Sequence, residues 1–207
     1  MPAVSNFVDT DRLRMHYLDT GPADGTPVVL IHGNLATGRF MEHVMEMLPA
    51  GYRGIAPDMR GFGDTDQVDI DATRGLRDWS DDTHALLHAL GADEPAHLVG
   101  WSTGGGAVAC YAVDRPEKVR SLTLIDPVSP FGFGSTKDAG GTPCFDDYAG
   151  SGGGGVVPEF VERLAAGDVT DESPMSPRNV INSSYGRPST GSPRSGRTCS
   201  SPRSSRR

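Results

Sequence analysis

Short apolar runs alternate with stretches of helical periodicity over the first 126 residues. The run at 27–32, PVVLIH, is apolar throughout, as is typical of a strand buried on both faces of a sheet. By the same criterion, strands are predicted at 27–32, 55–58, 96–101 and 121–126, and apolar spacing predicts helices at 40–48, 73–90 and 104–113. Strands that alternate with helices favour a mostly parallel, doubly wound α/β sheet.

The two ends of this pattern differ from its middle. Residues 6–9 and 13–18 predict a hairpin that opens the sheet. After Asp126 the alternation stops, and 132–155 is rich in glycine. One further helix is predicted at 158–167, with a proline at its start and a glycine at its end.

The last 25 residues have a composition of their own. From 183 to 207, 23 residues are Ser, Gly, Pro, Arg or Thr, and only Tyr185 and Cys199 differ. Such a segment cannot build a core and is expected to be disordered. The pattern therefore divides the chain into 1–127, 128–182 and 183–207.

Charge is distributed unevenly between these parts. All 27 acidic residues lie at or before Glu172, and the chain up to Met175 carries 12 basic residues, a formal charge of −15. Seven arginines follow it. A body this acidic is poorly suited to binding nucleic-acid phosphates. We therefore expect a small, uncharged substrate and no nucleic-acid partner, although an arginine-rich arm that binds RNA is the alternative for the tail.

Other classes of protein are disfavoured by what the sequence contains. No apolar run approaches the roughly 18–20 residues of a membrane span, and the first 21 residues lack the features of a signal peptide. Cys110, Cys144 and Cys199 are too scattered for a disulfide framework or a zinc site. We expect a cytoplasmic protein with no membrane partner, no metal and no cofactor, and the sequence leaves its oligomeric state open.

Ser102 is the candidate nucleophile. Residues 100–104 read G-x-S-x-G, directly after a predicted strand and before a predicted helix of small residues. A tight strand-to-helix turn would hold the Ser102 hydroxyl at the carboxyl edge of the sheet, beside the positive end of the helix dipole. The alternative is a glycine-rich turn with an incidental serine.

Two further motifs agree with the first interpretation. Residues 32–34 read H-G-N after the strand at 27–32, and residues 58–64 read D-x-R-G-x-G-D. Together with G-x-S-x-G these motifs, in this order, resemble those of the α/β-hydrolase superfamily over about residues 6–127. Thr65 stands where a serine is common in that family.

The resemblance implies a fold and several residue roles. It implies an α/β-hydrolase fold with a core at 1–127, incomplete at its C-terminal edge, and the start of a cap at 128–182. Backbone N–H groups of Asn34 and Thr103 would form the oxyanion hole, which stabilises a tetrahedral intermediate. His32 is expected to be structural, and Asp58 and Arg60 to hold the loop beside the oxyanion turn.

The resemblance also shows what the sequence lacks. A serine needs a base, and the base needs an orienting acid. All six histidines precede Ser102, whereas the family places its catalytic histidine after the serine. Asp126 ends the strand at 121–126 and is the candidate acid, with capping before Pro127 as its alternative role. His84 and His88 have the spacing of a metal-binding pair, but a solvated helix face is the preferred interpretation.

We therefore expect a serine hydrolase that acts on a small ester-like or related carbonyl substrate and is impaired by the missing histidine. Carbon–carbon bond hydrolysis and perhydrolysis use the same serine arrangement in the family and stay open. The alternative is a non-catalytic relic or binding protein of the same fold. An altered reading frame near codon 183 would account for the tail. Without further strands, the strand at 121–126 becomes an apolar sheet edge, which predicts poor solubility.

Overall fold

The structure is a computed structural model that describes residues 2–131, 137–138, 140–142 and 157–184, except for the side chains at 72 and 184. The chain divides into two compact units, 1–153 and 154–207. The first unit holds the sheet and all of the predicted site residues.

Six strands of the first unit form one sheet in the order β1-β2-β4-β3-β5-β6. They are β1 (Val4–Asp9), β2 (Arg14–Thr20), β3 (Thr26–Ile31), β4 (Tyr52–Pro57), β5 (Ala96–Trp101) and β6 (Val119–Ile125). β2 runs antiparallel to both β1 and β4, and the remaining pairs are parallel. The mostly parallel α/β sheet and the opening hairpin are thus confirmed.

Helices connect the parallel strands. In the first unit they are α1 (Glu42–Glu46), α2 (Arg77–Ala89) and α3 (Thr103–Asp114), with 3₁₀ turns at Gly38–Met41, Ala72–Arg74 and Pro116–Lys118. The helix predicted at 73–90 is divided, because Gly75 has a left-handed φ of +65° and the Leu76 N–H donates to the Pro130 carbonyl instead of continuing the turn. The helix predicted at 40–48 likewise begins as a 3₁₀ turn.

The core lies on both faces of β3. Val29 and Ile31 pack into a cluster that includes Leu86 of α2 and Val108 of α3. The alternate residues Val28 and Leu30 pack with Met41 and Met45 on the other face. Because successive side chains of a strand point to opposite faces, this division explains why the whole run is apolar. The sheet is covered on both sides, as a doubly wound arrangement requires.

β6 differs from the other parallel strands in its exposure. It is the last strand in the described part of the sheet, and its residues from Arg120 to Ile125 are all exposed. Leu122, Leu124 and Ile125 are among the exposed large apolar side chains. The predicted apolar sheet edge is therefore present among the described residues.

The second unit contains two short helices, α4 (Pro158–Ala165) and α5 (Pro177–Ser184). The helix predicted at 158–167 is confirmed, whereas α5 was not predicted and crosses the expected boundary at 182. Arg163 of α4 forms an ion pair with Asp168, which lies in the loop between α4 and α5. The distance between Nη1 and Oδ2 is 2.9 Å. Residues 185–207 lie outside the described residues, so the disordered tail stays a prediction.

Candidate functional site

Ser102 lies on a sharp turn between β5 and α3. Its backbone has φ 53° and ψ −116°, a left-handed conformation that residues other than glycine rarely adopt. Its N–H donates to the Ile125 carbonyl at 3.0 Å, and its own carbonyl accepts from the Val128 N–H at 3.0 Å. These two bonds tie the turn to the end of β6. Ser102 itself is half-buried.

Glycines allow the turn to approach the end of β3. A Cβ on Gly104 would lie 2.4 Å from the carbonyl oxygens of both Ile31 and His32, and one on Gly33 would lie 3.0 Å from the Ser102 Cβ. Real Cβ atoms do not approach backbone oxygens to 2.4 Å. The glycines of the H-G-N and G-x-S-x-G motifs therefore bring the two turns into direct contact.

His32 is held by the backbone on both sides of its ring. Nδ1 lies 2.7 Å from the Gly33 carbonyl, and Nε2 accepts from the Met59 N–H at 2.9 Å. These partners place the proton of the neutral ring on Nδ1, because a carbonyl accepts and an N–H donates. Burial lowers the pKa of His32 from its ordinary value, against smaller opposing effects of the Gly33 carbonyl and Asp58. Both nitrogens are occupied, which agrees with the expected structural role.

The expected oxyanion donors lie in the two touching turns. Thr103 is the first residue of α3, where backbone N–H groups have no partner within the helix. Asn34 is exposed and follows Gly33, and its side-chain oxygen accepts from the Leu35 N–H at 3.1 Å. Leu35 has a left-handed φ of 57°, so this turn, too, has an uncommon backbone. The structure thus brings both residues near the Ser102 turn, and their role in binding an oxyanion stays a prediction.

Asp58 connects the loop after β4 to the surrounding chain. Its Oδ1 accepts from the Gly38 N–H at 2.7 Å and its Oδ2 from the Asp64 N–H at 3.0 Å. A Cβ at Gly63 would lie 2.0 Å from Oδ2, which explains the second glycine of the motif. The Thr65 hydroxyl donates to the Asp58 carbonyl at 2.8 Å. Threonine therefore makes at this position a bond that a serine hydroxyl would also make.

Arg60 fixes the same loop to α2. Its guanidinium donates twice to the buried Asp82, with both N–O distances 2.8 Å. Arg12 donates to Asp82 as well, at 2.6 Å. The Asp82 carboxylate raises the pKa of Arg60, against the opposing effect of burial. Two-pronged pairing of this kind positions a loop more firmly than a single bond does.

The six histidines all have partners, and among the described residues none of these partners is the Ser102 side chain. The pairs are His16 with Ser5 and Asp58, His32 with Gly33 and Met59, His43 with Glu46, His84 with Tyr111, His88 with Asp93, and His97 with Ser121. His84 and His88 therefore make separate contacts. The described structure offers no imidazole that could take a proton from Ser102.

Asp126 lies at the sheet edge expected for the acid. Trp101 of β5 is opposite Ile125 of β6, so the next residues, Ser102 and Asp126, follow the ends of neighbouring parallel strands. Asp126 is exposed and has a left-handed φ of 45°. Its carboxylate has no hydrogen-bond partner in the described part of the chain. The geometry is compatible with an acid near Ser102, and the assignment stays a prediction.

One group of polar residues was not found from the sequence. His16, Asp58 and the exposed Asp64 offer ligand atoms within 4.8 Å of one another. His16 and Asp58 are already hydrogen-bonded to each other, 2.8 Å between Nδ1 and Oδ2. The sequence signal for this group was His16 within a strand that is otherwise mostly apolar, because a buried imidazole needs hydrogen-bond partners.

Cys110 is buried, its Sγ lies 3.1 Å from the Pro130 carbonyl, and burial raises the pKa of its thiol. Cys144 and Cys199 lie outside the described residues.

Among the described helices, none has the length and apolar content needed to cross a bilayer.

Comparison with known proteins places this geometry in context. A family model for the alpha/beta hydrolase fold matches residues 26–143. The chain is 36% identical over 143 residues to a non-heme chloroperoxidase of Streptomyces lividans, covering 67% of this chain and 51% of that protein. It is 34% identical over 128 residues to a 2-hydroxy-6-oxo-6-phenylhexa-2,4-dienoate hydrolase of Burkholderia cepacia, covering 60% of this chain and 41% of that enzyme.

A solved structure is similar as well. An epoxide hydrolase from an endophytic Streptomyces superposes with a TM-score of 0.54 at 31% identity, over 59% of this chain and 37% of that one. The chain thus spans about half or less of the length of these relatives.

Proposed function

The chain belongs to the α/β-hydrolase fold family, and from that membership we propose that Ser102 is a nucleophile for small ester-like carbonyl substrates. The observation that carries the proposal is the left-handed backbone of Ser102 at a strand-to-helix turn, in contact with the turn at Gly33. Strained conformations of this kind cluster at active sites. Attack by the Ser102 hydroxyl would place the oxyanion near the first-turn N–H groups of α3.

The proposed chemistry is hydrolysis of a small molecule, since the named relatives include hydrolases of small substrates. A serine in the elbow favours acyl-enzyme chemistry on carbonyl carbon over the aspartate-based chemistry of dehalogenases and epoxide hydrolases in this superfamily. The reaction would proceed by addition of Ser102 Oγ to the carbonyl, loss of the alcohol, and hydrolysis of the acyl-enzyme by water.

We further propose that a chain of these 207 residues carries out the reaction slowly. Each of the six histidines is engaged elsewhere, and none follows Ser102 in the sequence. General-base assistance typically contributes roughly 10²–10⁴ to the rate, so its lack would leave orientation and oxyanion stabilisation alone.

A fluorophosphonate probe tests the assignment. We expect slow labelling of the tryptic peptide 78–118, which contains Ser102, and a rate that rises with added imidazole, because a free base would replace the missing one. Ser102→Ala is the matched control and should remove both the label and the imidazole effect. If Ser102 is labelled no faster than the exposed Ser121, with or without imidazole, the nucleophile assignment is wrong.

Two other outcomes refine the proposal. Rapid labelling of Ser102 without imidazole would mean that a base reaches the site from elsewhere, for example from a partner chain.

A non-catalytic binding protein is the second candidate, favoured by the engagement of all six histidines away from Ser102. It predicts that a small ester is bound, as followed by quenching of the tryptophan fluorescence of a Trp79→Phe variant, in which Trp101 is the remaining tryptophan, without any label or turnover.

A further inference from the structure

Ser5 is hydrogen-bonded to a buried histidine, which is hydrogen-bonded in turn to a buried carboxylate. The Ser5 Oγ lies 2.7 Å from His16 Nε2, and His16 Nδ1 lies 2.8 Å from Asp58 Oδ2. Ser5 is on β1, at the edge of the sheet opposite to β6, so this arrangement is separate from Ser102. It joins three residues that are 11 and 42 positions apart in the sequence.

The neighbours of Asp58 fix the direction of these hydrogen bonds. Its two oxygens also accept from the backbone N–H groups of Gly38 and Asp64, as an ionised carboxylate does. His16 Nδ1 therefore carries the proton that is donated to Asp58. In the neutral ring this leaves the lone pair of Nε2 to accept the Ser5 hydroxyl proton, which is the orientation a general base needs.

Burial divides the arrangement into a shielded base and an accessible nucleophile. His16 is 3% and Asp58 2% exposed, whereas Ser5 is exposed. The backbone of His16 is held in place as well, because the His16 backbone N–H donates to the Thr65 Oγ1 at 2.9 Å. A positive charge that forms on this ring would lie next to Asp58 in a poorly hydrated environment, where the attraction is stronger than in water.

The chain contains a matched comparison for this site. Ser121 is exposed and its Oγ lies 2.7 Å from a ring nitrogen of His97, the same distance as in the Ser5 pair. Within the described residues, however, no carboxylate contacts the His97 ring. Ser121 thus has the serine–histidine contact without the orienting acid.

We propose that Ser5, His16 and Asp58 form a second nucleophilic site that reacts with small activated esters and fluorophosphonates. With an ester, the Ser5 Oγ–carbon bond forms and the bond to the leaving alcohol breaks, while His16 carries the proton from Oγ to the departing oxygen. With a fluorophosphonate, the Oγ–phosphorus bond forms, fluoride leaves, and the proton on His16 passes to solvent. Asp58 stays ionised and stabilises the His16 cation in both cases.

Labelling of the full chain with a fluorophosphonate tests the proposal. The tryptic peptide 1–12 contains Ser5 as its single serine, and Ser102 and Ser121 fall in the peptides 78–118 and 121–137. We expect Ser5 to be labelled about 10²-fold or more faster than Ser121, because Ser121 has a histidine but not the carboxylate that orients and stabilises it. Ser5→Ala should remove the label from 1–12 and leave labelling of 78–118 unchanged. Equal rates at Ser5 and Ser121 would overturn the proposal.

His16→Gln tests the base directly. Gln keeps a hydrogen-bonding side chain but has no basic nitrogen, so labelling of Ser5 should fall to the rate of Ser121 or below it. If that variant does not fold, as judged by circular dichroism, the comparison of Ser5 with Ser121 in the unmodified chain decides alone. A failure of Ser102 to react would appear on peptide 78–118 and would leave the result for Ser5 unaffected.

Discussion

The backbone of Ser102 combines conformational strain with bonds that hold it in place. A left-handed φ on a residue other than glycine costs about 1–3 kcal/mol. The bonds from the Ser102 N–H to Ile125 and from the Val128 N–H to the Ser102 carbonyl offset part of that cost. A structural turn would be expected to use glycine here, so the serine requires an explanation, and the proposed role as a nucleophile would provide one.

This strain can be measured. We expect Ser102→Gly to be about 1 kcal/mol more stable than Ser102→Ala, because glycine adopts positive φ without the Cβ clash. Both variants lack the hydroxyl, so their difference in free energy of urea unfolding isolates the backbone term. Equal stability of the two variants would show that the left-handed conformation is not retained in solution.

His32 gives a prediction about pH at the same scale. Its pKa is lowered by burial, and a proton on Nε2 would also break the bond from the Met59 N–H. Below its ordinary pKa of 6.5 the unfolded chain takes up the proton first, so stability falls as pH decreases from about 7 towards 5. One such group contributes at most about 1.4 kcal/mol per pH unit.

The control is His32→Gln, which removes the titrating ring. Its free energy of unfolding should depend less on pH between 7 and 5 than that of the unmodified chain. Burial lowers the pKa of His84 too, and that contribution is the same in both proteins and cancels in the difference. An unchanged pH dependence in the variant would contradict the prediction.

β6 is an apolar strand that is exposed at the edge of the described sheet. Leu124 is 43% exposed, and β6 is the last strand in the described part of the sheet, as expected when no further strand is predicted after it. An exposed apolar edge with unpaired backbone groups promotes pairing with other chains. We therefore expect this one strand to limit the solubility of the chain.

We expect Leu124→Lys to reduce aggregation and to change stability little, because a charge at an edge opposes strand addition. Val113→Lys is the matched control. Val113 lies on α3 and is 70% exposed, so its replacement by lysine adds the same charge away from the edge. Light scattering during storage measures the effect. Equal improvement by both variants would indicate net charge, and not the edge, as the cause.

At the scale of the whole molecule, the chain joins an acidic sheet unit to an arginine-rich end. The composition of 185–207 contains almost no apolar side chains, so it can contribute little to burial. The core described by the two clusters around β3 lies entirely in the first unit. Folding stability should therefore depend on the first unit.

Removal of residues 185–207 tests this division. We expect the shortened chain to keep the thermal unfolding midpoint of the full chain within about 2 °C, a change of about 0.5–1 kcal/mol at most. Leu98→Ala, which truncates a fully buried core residue, should lower the midpoint clearly and shows that the measurement is sensitive. A large loss of stability on removing the end would mean that these residues pack on the rest of the chain.

The sequence by itself determined the alternation of strands and helices, the parallel sheet and the positions of the Ser102, Gly33 and Asp58 turns. These features depend on local patterns, apolar runs and glycines at fixed offsets, which are readable within a few residues. Local patterns did not predict α5. They also did not predict the break at Gly75, because the Pro130 carbonyl that accepts from the Leu76 N–H lies far along the chain.

Only the tertiary structure decided the surroundings of the histidines. The Ser5–His16–Asp58 contacts depend on the pairing of β1 with β2 and of β2 with β4, which places distant residues on one face of the sheet. No spacing along the chain reveals such a register, because it is set by how the strands pack together. For the same reason, the order of the chain indicated that the six histidines are not the expected base, but only the structure showed which partner each of them has.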